Sequence, residues 1–599
     1  MDRNTTIGFV LIGLVLIVWM WMQAPPPAAV RPPAPDSLRA AQSVPRDTVR
    51  PRVQAAAPDT GAHTPADLYG TYFASRVKGE EKIIVIATDR YTAEVSTKGG
   101  LLRKWELTGF KTWDGNPVQL VDEERGGDLS LLFTSRDGKL VNTRALYFDA
   151  RERPWTTYRL TGDRSVVVEL TLPIGDGRSI VKRMTFTNGK YSFDTEFAFT
   201  GMGEAISNFE YQIVWENGLR YAEHNSVDES NFAQAYAYSG GELTDIDATK
   251  IGETVKRDIN GTTDWVATRN KYFALALMPE HGEAQGAYLE GTRAAAPDNG
   301  VRENYALALK MPLATGSEHA RLTVFLGPLD FDIVKGYDRG LDQIMSLGAA
   351  WIIRPIAEYV MIPLFQFLHM FIPNYGWVII VFSLIIKLAL QPLTRSSMKS
   401  MKRMQALTPL MNEIRAKYKE DPNKQNQQIM NLYKEYGVNP AAGCLPMLLQ
   451  MPILFALYAV FRSTIGLRQS AFMFWISDLS IPDTVVHLPF KIPIFGITDV
   501  SGLALAMGVT MFLQQKMTVT DPRQKAMVWM MPVLMTLMFN SLPSGLNLYY
   551  FVFNLLAIGQ QVWFNRTTTD EPLRKVEPKK GGGGIMARLA KNMPDVKKR

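Results

Sequence analysis

The sequence predicts a mixed fold class: a polytopic α-helical membrane protein with six transmembrane helices, five of them in a C-terminal core, joined to a large all-β exported domain. Three observations predict it. Mean hydropathy is −0.06, yet nearly all long apolar runs fall within residues 359–564, while the first 350 residues carry a single apolar span. Residues 67–334 read instead as short alternating strands, and the basic residues gather between and after apolar segments. With 599 residues the chain exceeds one domain.

Residues 7–22, "IGFVLIGLVLIVWMWM", follow Arg3 and open the chain as an uncleaved anchor or a signal peptide. Two tryptophans suited to an interfacial belt favour the anchor, so the first domain is taken as 1–22. Residues 23–66 are rich in Pro and Ala and predict an extended tether with no core. Residues 67–335 carry "KIIVIATDRYTAEVS", "SVVVELTLPI", "SIVKRMTFTN" and "YSFDTEFAFTG", broken by turns such as Asp137-Gly138 and Asp176-Gly177. That pattern predicts a β-sandwich. His63, His224, His281 and His319 lack metal-ligand spacing and read as ordinary residues. Cys444 is the single cysteine, which excludes an intrachain disulfide framework. No cofactor and no metal are expected.

Residues 336–376 connect the two halves, and 352–372 within them are amphiphilic enough to lie in the membrane interface. The C-terminal core, 377–565, then holds spans at 377–394, 444–465, 500–514, 527–540 and 546–563. Parity and charge agree. The loop 395–437 is strongly basic, as is the tail 566–599, whereas 466–499 has only Arg468 and Lys491. Basic loops stay cytoplasmic, which places both termini inside and the β-domain outside. A net charge of +7 therefore speaks of membrane topology before nucleic acid, and DNA is not expected as a partner.

"WVIIVFSLIIKLALQPLT" contains one lysine, Lys387, about 15 Å from the start of a hydrocarbon layer about 30 Å thick. A basic side chain there costs about 2.5–3.5 kcal/mol on insertion scales. Snorkelling towards the headgroups is one answer. The other is a wet cavity, because Ser383 and Gln391 lie at i−4 and i+4 and would share a helical face with Lys387. Further polar residues stand within later spans: Gln450 between Pro446 and Pro452, Thr510 and Gln514, and Asn547, Tyr549, Tyr550 and Asn554. They either pair between helices or line an aqueous groove with Lys387.

The loop 395–437 reads as a helical hairpin, 396–420 and 424–436, turned at Asp421-Pro422-Asn423. Met398, Met401, Met404 and Met411 recur at roughly helical spacing, beside Lys402 and Arg403. They form an adaptable surface for apolar clients or pack one hairpin helix on the other. No GxxxxGK[ST] loop occurs, and the spans hold neither Ser with His nor paired Asp, which argues against an ATPase and an intramembrane protease. A midplane lysine also suits an ion or solute transporter, although no inverted repeat is evident among the core spans.

"IIKLALQPLTRSSMKSMKRMQALTPLMNEIRAKY", "GVNPAAGCLPMLLQMPILFALYAVF", "MGVTMFLQQKMTVTDPRQKAMVWMMPVLMT" and "LPSGLNLYYFVFNLL" resemble, in order, the YidC-type membrane protein insertases. The anchor, tether and exported domain are similar in layout to the Gram-negative bacterial branch. The resemblance implies a non-enzymatic insertase and chaperone of the inner membrane, with a five-helix core around a hydrophilic groove and a periplasmic super-sandwich. Lys387 matches the family's groove arginine, with the charge kept and the planar fork lost. The resemblance further implies Ser383, Gln450 and Tyr550 as groove residues, and the polar pattern of the spans adds Gln391 and Asn554. It implies that the hairpin receives clients, and the spacing of Met398, Met401 and Met404 with adjacent Lys402 and Arg403 makes these the expected contacts. Nascent membrane proteins, the Sec translocon, membrane lipids and the ribosome, reached through the basic hairpin and tail, are the implied partners. A passive assembly scaffold of the secretion channel remains the alternative.

Overall fold

The structure is a computed structural model of the chain. It describes residues 64–280, 283–313, 317–349, 351–438, 445–492, 495–518, 525–567 and 575. The expected anchor, nearly all of the tether, Cys444 and all of the tail except 566–567 and Lys575 lie outside them. Two compact units divide the chain at Met345 and Ser346.

The unit ending at Met345 is built of antiparallel sheets of nine, six and five strands, with one parallel pairing between Ile83–Ala87 and Thr156–Arg159. Strands Ser165–Gly175 and Arg178–Thr187 alternate buried and more exposed positions, as a two-residue side-chain period requires. The turn between them places Asp176 at φ 53° and Gly177 at φ 73°, the left-handed pair that a tight hairpin matched to strand twist needs. Phe273–Pro279 is buried at every position because both of its faces are covered.

Three indoles anchor the core. Trp105, Trp215 and Trp265 are fully buried, and each N–H reaches a carbonyl: Leu326 at 3.0 Å, Gly218 at 2.8 Å and Arg339 at 2.8 Å. At about 150–250 Å² per aromatic side chain, each burial is worth about 4–6 kcal/mol of transfer free energy. The Trp105 bond also ties strand Leu101–Lys111 of the five-stranded sheet to Ser317–Pro328 of the nine-stranded one. His319 pairs with Glu196 at 2.9 Å and His224 sits edge-on to Trp113, both ordinary surface contacts.

The unit from Ser346 onward is helical. Residues expected at the interface form Ile353–Ile356, a wide turn over Ala357–Met361, and Ile362–Phe371. Met361, Ile362, Phe365 and Leu368 are buried, whereas Tyr359, Phe367, Met370 and Phe371 are exposed. One face packs inward and the other, largely apolar, is exposed. The remaining long helices are Tyr375–Ala389, Gln391–Ala406, Leu445–Ser463, Gly502–Thr518, Lys525–Phe539 and Ser544–Thr567. Thr484–His487 pairs with Asp499–Ser501 in a small hairpin.

Two expectations change here. The apolar stretch 377–394 is not one helix, because Tyr375–Ala389 meets Gln391–Ala406 at a 61° bend. Pro392 supplies the reason: it lacks an N–H, and its ring would clash with the carbonyl four residues back. The hairpin's first arm is also two helices, Gln391–Ala406 and Thr408–Lys417, with Pro409 in the first turn of the second. Among the described residues no single helix is long and apolar enough to cross a membrane, although that bent pair qualifies together and Val528–Phe539 is a shorter apolar run. Polar side chains explain part of this. The 24-residue helix Ser544–Thr567 is about 36 Å long, yet it carries Asn547, Tyr549, Tyr550, Asn554, Gln560 and Gln561.

Candidate functional site

The lysine helix starts where Asn374 accepts a hydrogen bond from the Gly376 N–H at 2.9 Å. Glycine is required at 376, because a Cβ there would lie 2.0 Å from the Phe472 ring. Val378, Ile379, Phe382, Ser383 and Ile386 face inward, while Leu384 and Leu388 face out. Phe382 packs on Phe365 with ring centroids 4.6 Å apart, and Phe365 meets Phe461 of Leu445–Ser463 at 5.3 Å. On another side Phe382 approaches Tyr549 of Ser544–Thr567 at 6.1 Å.

Lys387 is half-buried, and its ammonium lies over the Phe553 ring, 4.2 Å from the centroid. Among the described residues it has no hydrogen bond and no carboxylate partner. Phe553 in turn stacks on Tyr549 at 5.7 Å. Tyr549 Oη is buried with no protein partner among the described residues, and elsewhere on the later helices so are Asn547 Oδ1, Gln515 Oε1 and Gln560 Nε2. Buried polar groups are almost always satisfied, so this combination suits water or an incoming polar chain.

The predicted groove residues divide. Tyr550 is half-buried and Asn554 buried on the last helix, and Gln450 is half-buried on Leu445–Ser463. Ser383 is fully buried, and its hydroxyl donates to the Ile379 carbonyl at 2.7 Å. It is therefore satisfied within its own helix, as a serine in an apolar helix commonly is. Gln391 belongs to the helix beyond the bend, so the expected face of Ser383, Lys387 and Gln391 is broken.

The hairpin closes on a small core of Leu407, Met411, Ile429, Leu432, Tyr433 and Val438. Met398 is buried and so is not open to a client in this arrangement, while half-buried Met404 packs against that core. Met401 and Lys402 are half-buried and Arg403 is exposed. Asp421 caps the returning helix Pro422–Glu435 through the Lys424 N–H at 3.0 Å.

Sequence reasoning missed two features. One is Phe553 beneath the ammonium. The other is a polar clasp at one end of the helices, centred on buried Asp483. Its carboxylate accepts from Trp475 Nε1 at 2.8 Å, Ser501 Oγ at 2.6 Å and the Leu503 N–H at 2.8 Å, capping Gly502–Thr518. Asn540 receives the Ser501 N–H at 2.9 Å and donates to the Asp499 carbonyl at 2.6 Å. Asn547 donates to the Phe539 carbonyl at 3.2 Å, joining the next two helices.

Known proteins match the chain along most of its length. The family described as YidC periplasmic domain matches residues 83–359, and the 60Kd inner membrane protein family matches 367–571. Membrane protein insertase YidC of Chlorobaculum parvum is 40% identical over 576 residues, covering 95% of this chain and 96% of that protein. The chain belongs to the YidC family. The YidC of Chlorobaculum tepidum is 41% identical over 580 residues, again covering 95% and 96%. A solved structure of an active YidC insertase with its first transmembrane domain resolved covers 82% of this chain and 94% of its own, at 20% identity and a TM-score of 0.35. As a YidC protein, the chain is a bacterial inner-membrane protein with a β-sandwich periplasmic domain and a helical C-terminal region.

Proposed function

We propose that this membrane protein insertase works through a polar groove in its helical unit, with Lys387 as the attractor for an acidic or polar flank of the client. The protein is not an enzyme, and it acts on membrane proteins. The observation that carries the groove reading is the Lys387 ammonium, which has no carboxylate beside it and stands among helices that hold unpartnered polar atoms. A charge already balanced by protein would have little left for a client.

The mechanism follows from desolvation. A polar flank crossing about 30 Å of hydrocarbon is penalised along the whole path, and a groove open to water on one side shortens it. The client's apolar segment leaves sideways into lipid. The membrane potential adds about 2.3 kcal/mol per charge per 100 mV in favour of moving an acidic flank outward. Tyr550, Asn554 and Gln450 line the groove in this reading, with Ser383 and Gln391 at its margins. Six spans, counting the anchor and the bent segment, keep both termini cytoplasmic.

The hairpin receives clients through Met401, Lys402 and Arg403, with Met398 and Met404 available once it opens. Its basic surface and the basic tail contact the ribosome, and the helical unit serves alone or beside the Sec translocon. The test is insertion of a single-span client with an acidic exported flank into vesicles carrying purified protein with Lys387, Lys387→Arg, Lys387→Ala or Lys387→Glu. Arginine preserves insertion, alanine lowers it and glutamate lowers it furthest. Equal insertion by all four discards the groove-charge mechanism.

A further inference from the structure

We infer that Phe553 is a positioning residue: its ring holds the Lys387 ammonium in the groove, where a client's carboxylate can reach it. The inference rests on the groove reading above and adds a part that charge alone does not supply. Lysine is a compact charge on a flexible four-carbon stem, and in an apolar helix that stem carries the charge towards the headgroups. Lys387 stands in the last turn of its helix, which ends at Ala389. Something has to hold the ammonium back.

The ring is placed to do so. Lys387 Nζ lies 4.2 Å from the Phe553 centroid, well inside the roughly 6 Å range of a cation–π contact. Phe553 is itself fixed. It is 7% exposed and stacks on Tyr549 at an interplanar angle of 30°. Tyr549 approaches Phe382, which sits on the same helix as Lys387. The stack thus returns to the lysine helix and sets ring and ammonium in register across the two helices. An ammonium has three donors, and a ring engages it from one side. Donors remain for a carboxylate, and the contact orients the charge without neutralising it.

Graded fluorination of phenylalanine at position 553 tests this, because fluorine withdraws charge from the ring face while nearly preserving shape. The full-length protein is reconstituted with mono-, di- or trifluorophenylalanine at 553. Two clients are compared, identical except for an acidic or a neutral exported flank. Insertion of the acidic client falls stepwise, reaching about 2- to 30-fold, the range of a cation–π contact, while the neutral client is unchanged. A flat series beside a Lys387→Ala protein that loses insertion overturns the role of Phe553 and leaves the groove charge standing. An equal fall for both clients also overturns it, since the ring then acts by packing. Full insertion by Lys387→Ala removes the groove reading itself, and this inference with it.

Discussion

Several buried charges of the periplasmic domain meet an opposite charge, whereas Lys387 of the helical unit does not among the described residues. In the periplasmic domain Arg293 donates to Glu303 at 2.6 Å, Tyr305 donates to the same carboxylate at 2.8 Å, and the pair is almost wholly buried. Glu229 is instead satisfied by backbone, accepting from the Ala222 and Glu223 N–H groups while burial pushes its carboxyl up to about 8. Lys271 reaches Asp228 at 2.8 Å. In the helical unit Lys387 has an aromatic face and no acid. The contrast concerns ions, since the Tyr91 and Tyr211 hydroxyls of the β-domain also lack described partners. A closed ionic network fixes a scaffold. A charge left without its counterion keeps free energy available for something that comes and goes.

Breaking the closed side gives the largest effect. Arg293→Met strands the Glu303 carboxylate in the interior, and the full-length protein in detergent loses about 3–5 kcal/mol in the denaturant transition of its β-domain. A loss below about 1 kcal/mol would show the network to be open to water, and the contrast would weaken. At the clasp, Asp483→Ala leaves the Leu503 N–H, Ser501 and Trp475 without their acceptor. Thermal unfolding of the helical unit then shows a loss of about 1–3 kcal/mol, with Trp475 fluorescence shifted.

The third prediction concerns a buried β-domain cation held by carbonyls, as Arg269 also is. Lys182 is buried, donating to the Gly100 and Leu129 carbonyls at 2.7 and 2.8 Å, and burial pulls it down to about 7 from 10.5. Between pH 7 and about 10 the unfolded chain therefore holds the extra proton. Stability rises with pH there by up to about 1.4 kcal/mol per unit, and the penalty is fully present below pH 7. Lys182→Met flattens that slope. An unchanged slope would mean that the two carbonyls keep the ammonium charged, as carbonyls serve the buried Arg269 guanidinium.

The periplasmic strands were legible because each encodes its own burial. "SVVVELTLPI" and "SIVKRMTFTN" alternate, and Asp176-Gly177 names the turn between them. The hairpin turn at Asp421-Pro422 was equally local. The bend after Ala389 was written in the sequence too, in Pro392, but apolarity through Leu393 masked it. Lys387 was conspicuous because a lysine in an apolar run has no local excuse. Phe553 and Asp483 were not legible: a phenylalanine in an apolar helix and an aspartate in a loop look unexceptional until the chain brings them to distant partners.

The most direct test of the central claim is a charge exchange between insertase and client. Lys387→Glu is paired with clients whose exported flank carries aspartates or, at the same positions, lysines, and insertion is measured for all four combinations with the native protein. The account predicts coupling: Lys387→Glu loses the acidic client and regains insertion with the basic one relative to the native protein, beyond the sum of the single changes. Additive effects with no rescue would contradict it, because the lysine would then act without meeting the client's charge.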